Sequence, residues 1–215
     1  MILYTLKNNG YISYAESLSE NPVGKRTVYV NLTNKCNCAC SFCLRSTKQF
    51  GTDDSLWIKK EPSAKEIIKQ FEMYAIDQIT EVVFCGFGEP TMRLEVLLEV
   101  AQYLKGRDGS TMIRINTNGL AELEYKREIA PLFEGLIDTI SISLNAATAE
   151  KYYAVTKNKF GLISYEAMLA FAQKCKKYVP KVVLTVVDCI GEKEIQECQA
   201  VCDKVGIPLR VRSFE

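Results

Sequence analysis

The chain has 215 residues and a net charge of +1, with 47% hydrophobic and 25% charged residues. This composition predicts one folded domain with a well-buried core, and the near-neutral balance disfavours nucleic acid as a partner. The sequence contains no histidine, which excludes Cys/His zinc fingers, Ser-His-Asp triads and histidine acid–base catalysis.

The sequence has no apolar run approaching the roughly 18 residues that suggest a membrane span, and its start lacks the charged-then-apolar layout of a signal peptide. We therefore expect a cytoplasmic protein without a membrane partner. Nine cysteines are a large number for that compartment. Because cytoplasmic chains rarely keep disulfides, the cysteines are interpreted as metal ligands or buried thiols.

Residues 1–14 are predicted to form a small β-hairpin, because Asn8-Asn9-Gly10 separates two alternating runs. Residues 15–26 are predicted to be a linker. The chain is thus divided into a hairpin with its linker, 1–26, and a main domain, 27–215. The main domain opens with a predicted strand, 27–32, in which β-branched and aromatic residues alternate with others.

Three cysteines follow this strand with the spacing C-x3-C-x2-C, namely Cys36, Cys40 and Cys43. Thiolates suit zinc and iron–sulfur clusters. A structural zinc site needs four protein ligands, whereas three cysteines could hold three irons of a cubane cluster and leave the fourth open to another ligand. The spacing alone leaves a cluster, a zinc site and a disulfide as alternatives. Cys38 lies between these residues and is expected to point away.

A polar segment, 45–61, comes next and is interpreted as a lid or, by slight preference, a solvated connector. Ser63 and Glu66 then have capping-box spacing at a helix start. A later helix is expected to reach about Phe133, and another covers 148–178 with a break at 158–161. Further strands are predicted over 80–84, 111–116, 136–144, 181–189 and 209–213, with helices between them. Six such strands predict an α/β fold, an open partial (β/α)6 barrel of parallel strands.

Residues able to bind a ligand are concentrated at the ends of these strands. They are Gly86, Phe87, Gly88 and Glu89 after the second strand, Asn116 and Asn118 at the third, Ser143 and Asn145 at the fourth, Asp188 at the fifth and Arg212 at the sixth. In parallel α/β folds ligands bind outside the carboxyl ends of strands, so these residues are expected to meet at one mouth. Strand-end caps, an Asx turn before Gly119 and a surface ion pair of Arg212 are the simpler alternatives.

Two of these motifs together resemble those of a known superfamily. The cysteine motif, with Phe42 before its last cysteine, resembles the signature of the radical S-adenosylmethionine (SAM) superfamily. Gly86-Phe87-Gly88-Glu89-Pro90 resembles the Gly-Gly-Glu-Pro motif of that superfamily, with Phe87 in place of the first of the paired glycines. The resemblance extends over 27–213, and within the superfamily the chain is most like the small TatD-associated radical SAM proteins.

The resemblance implies that Cys36, Cys40 and Cys43 hold a [4Fe-4S] cluster whose open iron binds the amino and carboxylate groups of SAM. It also implies that Phe42 packs near the adenine and that the turn 86–89 orients the SAM amino group. Polar residues at the later strand ends would contact the SAM ribose or carboxylate. The candidates are Asn116, Asn118, Ser143 and Asn145, with Asp188 and Arg212 as further candidates.

The implied activity is reductive cleavage of SAM to methionine and a 5′-deoxyadenosyl radical, which abstracts hydrogen from an unidentified substrate, either a small molecule or a partner protein. An external electron donor of the flavodoxin or ferredoxin type would be needed. Two alternative hypotheses for an enzyme are a glycyl-radical-enzyme activase and a small-molecule enzyme of the 7-carboxy-7-deazaguanine synthase kind. A non-enzymatic iron–sulfur or zinc protein, used for binding or redox sensing, is the alternative from another class.

The remaining cysteines fall into two groups. Cys175, Cys198 and Cys202 lie on apolar faces of predicted helices and are interpreted as buried structural thiols. Cys85 and Cys189 end predicted strands, where either could donate a hydrogen atom or bind a ligand, with a buried thiol as the alternative.

Overall fold

The structure is a computed structural model that describes residues 1–7, 10–47 and 56–214. The chain divides into two units. The first consists of Met1–Lys35 and Lys48–Ile115, and the second of Cys36–Thr47 and Asn116–Glu215. All three cysteines of the C-x3-C-x2-C motif therefore belong to the second unit, whereas the turn 86–90 belongs to the first.

The first unit is built on β-strands in the order β2-β1-β3-β4-β5. Their bounds are β1 (Leu3–Lys7), β2 (Gly10–Ser13), β3 (Arg26–Val30), β4 (Ile79–Phe84) and β5 (Ile113–Thr117), the last of which ends in the second unit. β1 pairs antiparallel with β2 and β3, whereas β3, β4 and β5 are parallel. Val28 lies opposite Val82, and both side chains are fully buried.

The predicted N-terminal hairpin is confirmed, although Asn8 and Asn9 of its turn lie outside the described residues. The predicted linker 15–26 is wrong over residues 15–20, which belong to a helix, α1 (Tyr14–Glu20), whereas residues 21–25 form neither helix nor strand. The Ser13 side chain accepts a hydrogen bond from the backbone N–H of Glu16 and so caps the helix. Tyr14 is completely buried, and one anchoring aromatic residue in seven is too weak a pattern to predict a helix.

Helices α3 (Ala64–Glu72) and α4 (Leu94–Arg107) provide the crossovers that parallel strands require. The predicted capping box is confirmed. The Ser63 hydroxyl accepts from the backbone N–H of Glu66, whose carboxylate accepts from the backbone N–H of Ser63 at 2.7 Å. Ile67 and Phe71 make up the fully buried face of α3.

The described end of the polar segment 45–61 is packed only in part, since Trp57, Lys59 and Lys60 are exposed as in the preferred interpretation. Leu56 is 2% exposed, and its carbonyl accepts from the side-chain amide of Asn31. Asn34 holds Ile58 by two hydrogen bonds, one to the backbone carbonyl and one from the backbone N–H. Residues 48–55 of the segment lie outside the described residues.

In the second unit, β6 pairs parallel with β7, and β7 pairs parallel with β8. The elements in chain order are α2 (Leu44–Thr47), α5 (Ala121–Tyr125), β6 (Thr139–Ser143), α6 (Ala149–Thr156), α7 (Ile163–Cys175), β7 (Lys181–Val187), α8 (Glu192–Val205) and β8 (Leu209–Arg212). The six predicted strands of the main domain are thus confirmed as β3 to β8.

The helical predictions for this unit are confirmed in part. The break at 158–161 lies between α6 and α7, as expected. The helix expected to reach Phe133 is instead the short α5 followed by a 3₁₀ turn, Ala130–Phe133. Lys126 ends α5 in the left-handed region at φ 54°, which stops a helix, and Pro131 starts the turn.

Candidate active site

The cysteine loop, defined as residues 36–43, is fixed to the C-terminal end of α6. The backbone N–H of Ala39 donates to the Thr156 carbonyl at 2.9 Å, and that of Ser41 donates to the Val155 carbonyl at 3.0 Å. The last carbonyls of a helix have no partner within the helix. The loop therefore satisfies the end of α6, and α6 in turn fixes the backbone that carries the cysteines.

Asn37 holds the same loop through its side chain, which is buried. Its Nδ2 donates to Glu124 at 3.1 Å, and its Oδ1 accepts from Asn118 at 2.6 Å. The Lys159 side chain donates to the other oxygen of Glu124 at 2.7 Å, and the Lys159 backbone N–H donates to the Asn37 carbonyl at 3.0 Å. Sequence reasoning missed these anchors, because Asn37 and Glu124 are 87 positions apart and neither belongs to a recognisable motif.

The loop exposes its thiols to different degrees. Cys36, Cys40 and Cys43 are half-buried, whereas Cys38 is buried, and none of them forms a disulfide. The expectation that Cys38 points away is wrong. Its thiol hydrogen-bonds with the thiols of Cys36 and Cys40 and receives the side-chain amide of Asn118 at 3.4 Å. The Cys38 thiol is therefore buried among polar groups and does not face solvent.

The thiol contacts shift pKa values in opposite directions. The hydrogen bond from Cys38 is the main cause that lowers the pKa of Cys40 and so favours its thiolate. Hydrogen bonds with Cys36 and Cys40, followed by burial, raise the pKa of Cys38. Burial likewise raises the pKa of Cys43. The loop thus contains a thiolate-prone cysteine beside a thiol that retains its proton.

The donor set of this loop fits an iron–sulfur cluster. Three half-buried thiols with no disulfide are the ligands that such clusters take. Within the described parts of the chain, no three Cys, Asp or Glu side chains converge to hold one metal ion. A [4Fe-4S] cluster does not require such convergence, because each thiolate binds a separate iron.

Asn118 lies just after β5 and contacts the cysteine loop directly. Its Oδ1 accepts from the backbone N–H of Leu120 at 3.0 Å, which is the Asx turn named above as an alternative. Its Nδ2 faces Asn37, Cys38 and Cys36, at 3.9 Å from the Cys36 sulfur. Asn118 therefore makes the turn and also binds the loop.

Two other asparagines of the second unit have an unsatisfied acceptor. The side-chain oxygens of Asn116 and Asn145 are buried and have no hydrogen-bond partner among the described residues. A buried acceptor without a donor is costly. Both oxygens suit a ligand with hydrogen-bond donors, such as the ammonium and hydroxyl groups of SAM.

Of the remaining candidates, Asp188 and Arg212 lie at the ends of strands as predicted, whereas Asn145 lies two residues beyond the end of β6. Asn145 does not share a strand face with Ser143, because β6 ends at Ser143 and Asn145 has φ 61°. Asp188 is exposed and accepts from the backbone N–H of Phe214 at 2.9 Å. Arg212 is the last residue of β8 and is exposed, and Phe42 is half-buried.

In the first unit, Gly86 and Gly88 permit close contact between the turn 86–90 and residues 31–35. A Cβ on Gly86 would lie 2.2 Å from the Asn31 side-chain oxygen, and one on Gly88 would lie 2.3 Å from the Thr33 carbonyl oxygen and 2.6 Å from that of Lys35. Neither glycine has positive φ, so space and not backbone conformation requires glycine here. Gly86 thus lies close to the Asn31 side chain, and Gly88 lies close to the backbone of Thr33 and Lys35.

The other two residues of this turn have partners within the first unit. Glu89 is 4% exposed, and its carboxylate caps the following turn by accepting from the backbone and hydroxyl of Thr91. Phe87 is buried in a cluster with Tyr4 and Leu56 and contacts Trp57 at 5.3 Å between ring centroids. The Phe87 side chain is thus a core residue of the first unit, and its predicted contact with a cofactor stays a prediction.

The cysteines outside the loop follow the two predicted groups. Cys175, Cys198 and Cys202 are completely buried, which confirms their interpretation as structural thiols. Burial raises the pKa of Cys175 and of Cys198 to about 12. Cys85 is half-buried beside the Tyr4 hydroxyl, which donates to its carbonyl, and Cys189 is exposed.

Comparison with known proteins identifies the family. The family model described as the radical SAM superfamily matches residues 30–201, which is most of the chain. The chain belongs to the radical SAM superfamily. Its cofactors are a [4Fe-4S] cluster and SAM, as the resemblance implied. Within the described residues, no helix is both long and apolar enough to span a membrane.

The curated relatives found for this radical SAM chain are longer proteins. It is 29% identical over 169 residues to a GTP 3′,8-cyclase of Lactiplantibacillus plantarum, covering 78% of the chain and 47% of the relative. It is 28% identical over 188 residues to a probable GTP 3′,8-cyclase of Thermococcus kodakarensis, covering 86% of the chain and 56% of the relative. The chain thus spans about half the length of these relatives. They do not support the narrower placement among TatD-associated proteins.

Solved structures confirm the predicted fold class. The crystal structure of SuiB from Streptococcus suis matches with a TM-score of 0.65 at 15% sequence identity, covering 93% of this chain and 42% of SuiB. SuiB bound to SAM matches with a TM-score of 0.61, over the same shares of both chains. At this identity the likeness shows the radical SAM fold and no more.

Proposed function

We propose that the chain is an enzyme that uses a [4Fe-4S] cluster to cleave SAM reductively and to abstract hydrogen from a substrate. The observation that carries this proposal is the cysteine loop, in a chain that the radical SAM model matches. Cys36, Cys40 and Cys43 would hold three irons and leave the fourth to SAM. Cys38 lies outside the C-x3-C-x2-C spacing and is the one buried thiol of the cysteine loop, so it would remain outside the ligand set.

The chain's own residues would position the cofactors and keep the site ordered. The α6 carbonyls and Asn37 fix the loop, and the buried oxygens of Asn116 and Asn145 would accept hydrogen bonds from SAM. The backbone of the turn 86–89 would orient the SAM amino group. When bound, the cluster and SAM supply a one-electron reductive cleavage that yields methionine and a 5′-deoxyadenosyl radical.

Delivery of that electron requires a partner. A flavodoxin or a ferredoxin in the cytoplasm would suit a chain with nine cysteines and no disulfide. For the substrate, we propose GTP as the first compound to test, because the curated relatives are named for a reaction on GTP. A peptide is the second, because SuiB, a neighbour in fold, has been crystallised with a precursor peptide.

The deciding experiment is anaerobic cluster reconstitution followed by electron paramagnetic resonance of the reduced protein with and without SAM. We expect a cubane signal that changes when SAM is added, and 5′-deoxyadenosine in the same sample. GTP should increase the yield of 5′-deoxyadenosine if it is the substrate, whereas ATP serves as its matched control. Bound zinc, or a cluster that is indifferent to SAM, would refute the enzyme proposal in favour of the binding or redox-sensing alternative.

A further inference from the structure

Asn118 has an orientation that its neighbours determine. Its Oδ1 accepts from the backbone N–H of Leu120 at 3.0 Å, so the other end of the amide, the NH₂ group, must face the cysteine loop. There it lies 2.6 Å from Asn37 Oδ1, 3.4 Å from the Cys38 sulfur and 3.9 Å from the Cys36 sulfur. The two hydrogens of this NH₂ group are thus shared among three acceptors, of which the Cys36 sulfur is the most distant, and the Asx turn that holds them is independent of the cysteines.

The acceptor that Asn118 meets is itself fixed. Asn37 is 7% exposed, and its own NH₂ group donates to Glu124, which pairs with Lys159 at 2.7 Å. Rotation of the Asn37 amide would place its NH₂ against that of Asn118 and its oxygen against the Glu124 carboxylate. The side-chain amides of Asn37 and Asn118 therefore have one favourable orientation, in which the Asn118 N–H groups face sulfur and amide oxygen.

The Cys36 sulfur has a second donor of the same kind. The backbone N–H of Cys38 lies 3.4 Å from it. Hydrogen bonds to the sulfurs of a cluster are among the factors that set its reduction potential, because they stabilise the more negative, reduced state. Besides the Cys38 thiol, Cys36 thus faces a backbone donor and the Asn118 side-chain donor, and the backbone donor cannot be removed by substitution.

We propose that Asn118 is a positioning residue that holds Cys36 as a ligand and raises the reduction potential of the cluster through its N–H donor. This inference rests on the proposed function, since it takes Cys36 as an iron ligand. It assigns Asn118 to the cluster rather than to SAM, which is a different role from the one that the sequence predicted.

Two variants separate the donor from the turn. Asn118→Asp keeps the shape of the side chain and an oxygen for the Leu120 N–H, but it presents an acceptor to Cys36. Asn118→Leu is similar in size and neutral, and it has no donor at all. Asn158→Leu is the matched control, because Asn158 is also buried and accepts from a backbone N–H two residues later, at Phe160, while its NH₂ donates to Thr156 and not to sulfur.

The measurement is a redox titration of the reconstituted full chain, monitored by electron paramagnetic resonance, with iron and sulfide determined on the same samples. We expect a more negative midpoint potential in Asn118→Leu, a still more negative one in Asn118→Asp, and no change in Asn158→Leu. Failure of both Asn118 variants to retain iron, with the control loaded normally, would also support the positioning role.

An unchanged potential in both fully loaded Asn118 variants would overturn the inference. So would a shift in Asn118→Leu that Asn118→Asp does not share, because the turn and not the donor would then be responsible. A wild-type chain that assembles no reducible cluster would instead refute the proposed function. Because that result is seen before any variant is made, the two failures are distinguishable.

Discussion

The cysteine loop and the turn 86–90 both follow a strand, yet they are fixed by opposite means. The loop, in the second unit, is held by added groups: the α6 carbonyls and the side chain of Asn37. The turn, in the first unit, packs closely against residues 31–35 because Gly86 and Gly88 have no Cβ. A Cβ at either position would overlap those residues. The loop must keep the side chains that act as ligands, so neighbouring residues hold its backbone in place. The turn presents backbone groups, and side chains at its two glycines would prevent its close packing.

The largest effect is expected at the cysteines themselves. Cys40→Ala should abolish both the cluster and 5′-deoxyadenosine formation, because the remaining two cysteines of the motif cannot hold three irons. Cys38→Ser is the matched control in the same loop and should keep the cluster. The measurement is iron content with visible absorption after anaerobic reconstitution. An intact cluster in Cys40→Ala, or its loss only in Cys38→Ser, would show that the ligand set is misassigned.

A smaller effect is expected when the turn receives a side chain. Gly88→Ala places a Cβ within 2.6 Å of two backbone oxygens, neither of which can rotate away. We expect a loss of stability of about 1–3 kcal/mol, typical of overpacking, together with weaker SAM binding. Gly106→Ala is the control, because Gly106 is exposed near the end of α4 and a Cβ there meets nothing within 4 Å.

The control should be neutral or stabilising by up to about 1 kcal/mol, since alanine favours helix. Urea denaturation gives the stabilities, and titration calorimetry of the reconstituted protein gives the affinity for SAM. Equal behaviour of the two alanine variants would contradict the view that close contact with residues 31–35 requires Gly88.

The contrast between the cysteine loop and the turn 86–90 also explains how much of each region the sequence predicts. The cysteine and glycine motifs are local, so the spacing of the cysteines and the resemblance of the turn to a superfamily motif located both. The anchors are not local: Glu124 comes from α5 and Lys159 from beyond α6, and no pattern in either segment refers to Asn37. The packing of Phe87 is not local either, because its side chain lies against Tyr4 and Leu56, which its motif does not indicate.

Helix α1 was missed for a related reason. Its sequence is polar apart from Tyr14, Ala15 and Leu18, and its stability depends on the Ser13 cap and on burial against the rest of the first unit. Composition favoured a linker there, since short segments form helices in proteins mainly through tertiary packing. The strands were predicted well because their periodicity is a property of the strand itself.

The smallest expected effect is an acid sensitivity of the cysteine loop, which Glu124 helps to anchor. Burial would raise the pKa of Glu124, but hydrogen bonds from Lys159 and Asn37 outweigh it and lower that pKa. A carboxylate with a lowered pKa in the folded state contributes stability above its usual pKa of about 4.3, and that stability is lost as pH falls through the folded value.

Glu124→Gln should therefore destabilise the chain by about 1 kcal/mol or less at neutral pH, since Lys159 is half-exposed and such pairs are weak. The difference from wild type should shrink as the pH falls below about 4, where the wild-type carboxylate takes up its proton. Urea denaturation at several values from about pH 3 to about pH 7, which span the usual carboxyl pKa, measures this difference in stability. The exposed Glu134→Gln variant is the control. A difference in stability that stays constant down to the lowest pH would mean that the Glu124 charge does not help to hold the loop. Asn37 would then be held by its amide and backbone contacts alone.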